Sequence, residues 1–189
     1  MVKVIILHGT TSRPERSWFP WLSWQCLGLG LDPYVPRLPT PQNQSLETWL
    51  MAYKEQCPPL DDSTILVGHS TGAPFALRLL ESSETPIKGC LLVSAFSTRL
   101  LLPKHPKMEP LLYSFVDPEW NWPKILQSCK HFACFHGSND QIVPLSEAQE
   151  LATKLGAQLK VIPTGQHLNT EAGYLQFPEI LNSLKEMLV

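Results

Sequence analysis

The sequence predicts a three-layer α/β fold, with a mainly parallel sheet of about six strands covered by helices on both faces. Three observations predict it. Short β-branched or aliphatic runs alternate with segments of helical spacing along the chain. The runs are continuously apolar, as in strands buried on both faces of a parallel sheet. No series of hairpin signals joins them. A length of 189 residues points to a single domain over 1–189, because domains commonly hold about 100–200 residues. It is also enough for a sizeable core.

The elements follow in order. Val2–Leu7 is the first buried run. A helical stretch follows, in which Trp18, Trp21 and Trp24, spaced three apart, read as a stripe packed into the core. A weaker run surrounds Tyr34-Val35, and Pro33–Pro41, with four prolines, reads as an irregular loop. Leu46, Trp49, Leu50 and Tyr53 show i, i+3, i+4, i+7 spacing behind a Ser45 N-cap, and Pro58-Pro59 stop that helix. Strands are expected at Ile65–Val67, Cys90–Val93, Phe132–Phe135 and Leu159–Ile162. Ala73, Ala76, Leu77 and Leu80 mark the helix after Val67. Another runs from about Ser146 to Leu155 and ends at Gly156. The last carries Phe177, Ile180, Leu181 and Leu184, with Pro178 in its first turn. Ser97–Pro123 lacks a strand pattern and contains Pro103, Pro106, Pro110, Pro118 and Pro123. A segment of that length is expected either to cover a site as a short lid-like insertion or to pack on the surface as one or two short helices.

Composition excludes several classes. With 15 Lys and Arg against 17 Asp and Glu, and no basic cluster, no nucleic-acid partner is expected. A 43% hydrophobic content at near-neutral charge excludes intrinsic disorder. No run approaches the roughly 20 apolar residues that span a bilayer, so no membrane role is expected. Val4–Leu7 is too short for a secretory signal and runs directly into His8-Gly9. The five cysteines (Cys26, Cys57, Cys90, Cys129, Cys134) are odd in number and scattered, a poor disulfide framework. A reduced, cytoplasmic protein fits best. Asn43-Gln44-Ser45 matches the glycosylation pattern, which carries no meaning without secretion.

The strongest local signal is Gly68-His69-Ser70-Thr71-Gly72, a G-x-S-x-G pattern between a strand and a helix. A serine on that turn holds its hydroxyl clear of the sheet, and the glycines let strand and helix approach closely. The N–H of Thr71, at the helix start, is an unpaired donor aimed where an oxyanion would form. A serine nucleophile needs a base, and the base needs an orienting acid. Asp140 follows the run Phe132–Phe135, and His167 follows Leu159–Ile162. The order Ser, Asp, His suits this arrangement. All three are expected at the carboxyl edge of the sheet, where open α/β folds bind ligands. The second oxyanion donor is expected from His8-Gly9-Thr10-Thr11, as the N–H of Thr10. Thr11, His69, Phe96 and Leu168 are the expected pocket residues.

Other readings are weaker. The His69 side chain should point away from the Ser70 hydroxyl, and His8 and His136 each precede a glycine, which suits loop-shaping or pocket roles. Gly28-Leu29-Gly30 lacks the third glycine of a dinucleotide fingerprint and does not follow a strand. Cys129 and Cys134 lack zinc spacing. No metal and no organic cofactor are expected.

With these residues the chain resembles the α/β-hydrolases, and is similar to the small serine hydrolases related to retinoblastoma-binding protein nine and bacterial YdeN. The similarity rests on Val2–Gly9, Trp18-Phe19-Pro20-Trp21, Trp49-Leu50, Gly68–Gly72, Leu92–Phe96, Trp120–Trp122, Gly137–Asp140 and Gly165–Thr170. It implies a triad of Ser70, Asp140 and His167, and a compact fold without a large cap domain. Retinoblastoma-binding members carry an L-x-C-x-E segment. Here Glu55-Gln56-Cys57-Pro58-Pro59 has Glu in place of the Leu and Pro in place of the Glu, which argues against that partner.

The expected function is hydrolysis of an ester, thioester or amide bond in a small acyl substrate. The alternative is a protein-interaction module on a hydrolase scaffold. That reading predicts a contiguous exposed apolar patch, from Leu100-Leu101-Leu102 or Leu111-Leu112.

Overall fold

The computed structural model describes residues 1–188. Six strands form one sheet: β1 (Lys3–Leu7), β2 (Asp32–Tyr34), β3 (Thr64–His69), β4 (Gly89–Val93), β5 (Phe132–Gly137) and β6 (Gln158–Ile162). Their order is β2-β1-β3-β4-β5-β6, and every ladder is parallel. Among the described residues seven α-helices connect or follow them: α1 (Phe19–Gly28), α2 (Leu46–Gln56), α3 (Gly72–Ser82), α4 (Pro110–Val116), α5 (Trp122–Gln127), α6 (Leu145–Leu155) and α7 (Pro178–Glu186).

Side chains alternate across each strand, which splits the core in two. Val4, Ile6, Ile65, Val67, Leu91 and Val93 pack with α1 and α7 on one face. Ile5, Leu7, Leu66, Cys90, Leu92 and Cys134 pack with α2 through α6 on the other. The fold is therefore the expected three-layer α/β sandwich. Local chemistry sets the helix ends. Ser45 and Thr48 form a reciprocal cap, with each side chain accepting the other's backbone N–H at 3.2 and 3.1 Å. Gly156 closes α6 in the left-handed conformation, at φ 60°.

Three details depart from the sequence reading. The weak second strand lies at Asp32–Tyr34 and so includes Pro33, which an edge strand tolerates because its outer N–H positions need no partner. Of the tryptophan stripe, Trp18 is fully buried but Trp24 is 72% exposed. At 3.6 residues per turn, six residues rotate a side chain about 120° away from its starting face. The leucines between β4 and β5 also fail to form a patch. Leu100, Leu102 and Leu112 are buried and Leu111 is half-buried, so of the two expected patches only Leu101 projects into solvent.

The segment 97–123 carries a short 3-10 turn (Pro106–Met108), α4 and the start of α5. It is pinned from below by Arg78 of α3, itself 6% exposed. The Arg78 guanidinium donates to the carbonyls of Phe115 (3.0 Å) and Pro118 (2.5 Å) and stacks 3.5 Å over the Trp120 ring.

The sheet order also places the site. From β1 the chain runs one way to β2 through α1; from β3 it runs the other way to β4 through α3, on the opposite face. The loops after β1 and β3 therefore diverge and leave a crevice at the carboxyl edge.

Candidate active site

Ser70 sits in that crevice, directly after β3. Its φ is +54°, the left-handed region that non-glycine residues rarely adopt. Two backbone bonds hold it there: its N–H donates to the Val93 carbonyl, and its own carbonyl accepts from Ala73, both at 2.9 Å. The turn is tight enough to require glycine beside it. A Cβ at Gly72 would lie 2.2 Å from the Leu7 carbonyl oxygen, and one at Gly9 would lie 2.8 Å from the Ser70 Cβ. The loop after β1 thus rests against the serine itself.

Asp140 and His167 meet at the ends of β5 and β6. The His167 ring donates from Nδ1 to Asp140 Oδ2 at 2.8 Å. Asp140 Oδ1 accepts the N–H groups of Ile142 (2.8 Å) and Val143 (3.0 Å), and the carboxylate is fully buried. Burial pushes this carboxyl up, but the hydrogen bonds from His167, Ile142 and Val143 outweigh it, so it titrates below the ordinary aspartate range. The bond at Nδ1 leaves Nε2 of His167 as the free ring nitrogen.

Ser70 and His167 line one cavity of about 270 Å³. Among the described residues, no hydrogen bond yet joins the Ser70 hydroxyl to the His167 ring; in unliganded enzymes such contacts commonly tighten only around substrate. Thr10 and Thr71 line the same cavity, and among the described residues neither backbone N–H donates to any acceptor. The Thr11 N–H, by contrast, is spent on Thr40 Oγ1 at 2.8 Å.

The cavity has two kinds of wall. Phe96, Leu100, Leu102, Met108, Leu112 and Ile142 make an apolar side, and four of these come from 97–123. Ser12, Arg16, Ser17, Asn169, Thr170 and Glu171 make a polar side. Thr11 and Phe96 line the cavity. Leu168 does not: its left-handed backbone (φ 50°) turns the side chain down into the core, where it is fully buried against the α1 and α7 layer.

Three other buried histidines, His69, His8 and His136, bond to backbone groups around the site. His69 reaches the cavity wall, yet it is 4% exposed and donates from Nε2 to the His167 carbonyl oxygen. Burial, helped by the nearby His167, drives it down to about 3, so it stays neutral. His8 accepts the Leu38 N–H at Nε2 and donates from Nδ1 to the Gly9 carbonyl, shaping the loop after β1. His136 donates to the Val143 carbonyl beside Asp140. Burial lowers both of these rings as well.

A sequence model of the family described as serine hydrolase matches residues 4–186. The chain belongs to the serine hydrolase family. It is 32% identical over 184 residues to YdeN of Bacillus subtilis, covering 96% of this chain and 94% of that one. It is equally 32% identical over 175 residues to the serine hydrolase RBBP9 of Rattus norvegicus, covering 89% and 86%. The crystal structure of the B. subtilis ydeN gene product superposes with a TM-score of 0.89 at 31% identity, over 100% and 99% of the two chains. A carboxylesterase structure from Nitrososphaera gargenis shares the fold at a TM-score of 0.72 and 9% identity, over 99% and 89%. This serine hydrolase is thus an α/β-hydrolase, and among its described residues no helix is long and apolar enough to cross a membrane.

Residues that local sequence patterns did not single out also border the site. Arg16, His105, Met108 and Ile142 are examples. Their only signal was position in loops after strands or within 97–123.

Proposed function

We propose that the protein hydrolyses a small ester, thioester or amide through an acyl-enzyme intermediate on Ser70. The observation that carries this reading is the joining of three features in one cavity wall. They are a serine in a left-handed turn, a histidine oriented by a buried aspartate, and two unspent backbone N–H groups. Ser70 Oγ attacks the carbonyl carbon while His167 Nε2 takes its proton. The oxyanion forms against the N–H groups of Thr10 and Thr71. Collapse expels the leaving group, which receives the proton from His167. Water then attacks the acyl carbon with His167 again as base, releasing the acid and restoring the serine. Asp140 holds the tautomer and stabilises the transient imidazolium.

The apolar wall supports an acyl group of hydrocarbon character, and the cavity volume supports a short one. In this reading 97–123 acts as a fixed cover. The five free thiols fit a reducing, cytoplasmic setting.

Fluorophosphonate labelling tests the proposal. The expected result is a single adduct on the peptide bearing Ser70, absent in Ser70→Ala and slowed by orders of magnitude in His167→Ala. No adduct on the folded wild-type protein, with a control hydrolase labelled in parallel, would overturn it.

A further inference from the structure

Gln44 belongs to no strand or helix, yet it is 8% exposed and its amide ties together three separate parts of the chain. Nε2 donates to Thr10 Oγ1 at 2.8 Å, in the loop after β1. It also donates to the Leu111 carbonyl oxygen of α4 at 3.0 Å. Oε1 accepts from Thr40 Oγ1 at 2.6 Å, and Thr40 Oγ1 accepts the Thr11 N–H. A carbonyl oxygen can only accept, so the group facing Leu111 must be the NH2, which settles the orientation of the amide.

The hydroxyls of Thr10 and Thr71 share one hydrogen bond of 2.8 Å. Each brings a single proton and the shared bond consumes one. Gln44 Nε2, a donor, accepts none. Among the described residues neither hydroxyl donates to any other group, so one proton of the pair is left over. Both threonines line the cavity that contains Ser70.

We propose that Gln44 is a positioning residue: it locks the loop after β1 to α4 and holds the Thr10–Thr71 hydroxyl pair so that its spare proton faces the reacting carbonyl, beside the two N–H groups. This inference rests on the acyl-transfer reading above. One amide nitrogen serves both Leu111 and Thr10, so the placement of α4 sets the placement of the donors.

Two substitutions at Gln44 separate its contacts. Gln44→Met keeps the length and loses every hydrogen bond; Gln44→Glu keeps the acceptor for Thr40 and loses both donated bonds. With p-nitrophenyl acetate, kcat is expected to fall roughly 10- to 100-fold in both, with KM changed less than about threefold. Thr71→Val, which keeps the N–H and loses the hydroxyl, should fall similarly, and Thr71→Ser should recover. Amides of 9–12 and 111–116 should exchange faster together in both Gln44 variants. Wild-type kcat in a folded Gln44→Met or Gln44→Glu protein would overturn the proposal. So would wild-type kcat in Thr71→Val, which decides the matter if the Gln44 variants fail to fold. If wild-type Ser70 takes no fluorophosphonate, the acyl-transfer reading itself falls, and the exchange experiment still reports whether Gln44 ties the two segments.

Discussion

His69 donates from Nε2 to the carbonyl oxygen of His167 at 2.9 Å, with the two rings 5.0 Å apart and steeply inclined. His167 is flanked by Gln166 and Leu168, both left-handed at φ 49° and 50°. Such backbone is strained and persists only where surrounding contacts over-determine it. Here the contacts are the His69 bond and the Trp18 indole N–H, which donates to the Leu168 carbonyl at 2.9 Å. The residue before the proposed nucleophile therefore supports the backbone of the proposed base.

His69→Leu should destabilise the fold by about 1–3 kcal/mol, since it leaves a buried carbonyl without a donor. His69→Gln, whose amide nitrogen can reach the same carbonyl, should recover most of that. Urea unfolding of the two variants makes the comparison. Equal stability would show that the bond does not hold the loop.

Stability should decline in mild acid before any carboxylate titrates. His69 titrates near 3 in the native protein, against about 6.5 in an unfolded chain. Between those values the unfolded state binds a proton that the native state refuses. Stability therefore falls with falling pH, by up to about 1.4 kcal/mol per pH unit for this group. His8 and His136, also lowered by burial, act in the same direction. Asp140 behaves as a lowered carboxyl: its contribution is intact above about pH 4 and is lost as pH drops through its lower native value. Unfolding free energies at pH 7.5, 6 and 5 read the histidine window, and His69→Gln should flatten it by one proton. A level profile from pH 7 to 5 would sink the idea.

Gly9→Ala and Gly72→Ala should fail differently. The methyl at position 9 presses on the Ser70 Cβ, which moves only with the backbone of its turn, and lies 3.1 Å from the His69 carbonyl oxygen, so the loop after β1 must back away from the serine. That variant should fold and label with fluorophosphonate at least tenfold more slowly, roughly the effect of a misplaced reacting group. At position 72 the methyl meets backbone of β1, which cannot yield without breaking the sheet. Expression and circular dichroism should show that Gly72→Ala does not accumulate as folded protein.

Arg78→Met should loosen 97–123 and cost about 3 kcal/mol, through unpaired carbonyls and a Glu81 carboxylate that keeps only the Asn121 N–H. Arg78→Lys should rescue little, because an ammonium cannot both fork to two carbonyls and stack on Trp120. Proteolysis between residues 97 and 123 should rise in step in both variants.

The strands and the Ser70 turn are legible in the sequence because their causes are local: unbroken aliphatic runs and a glycine on either side of a crowded turn. Asp140 and His167 are legible because each follows such a run. Gln44 is not, since its partners Thr10 and Leu111 lie 34 and 67 positions away and a polar loop residue carries no periodicity. Leu168 misleads for a related reason. Its neighbour His167 faces the cavity, and only the left-handed backbone reveals that the leucine turns inward.

The parallel order of strands also has a meaning for biosynthesis. Proteins emerge from the ribosome amino end first, so β3 delivers Ser70 early, β5 delivers Asp140 later, and His167 arrives last, after β6 at the sheet's edge. A nascent chain that has already docked β1, β3 and β4 carries the proposed nucleophile without a base. In the proposed mechanism the base therefore joins the nucleophile only once β6 and the loop after it have emerged.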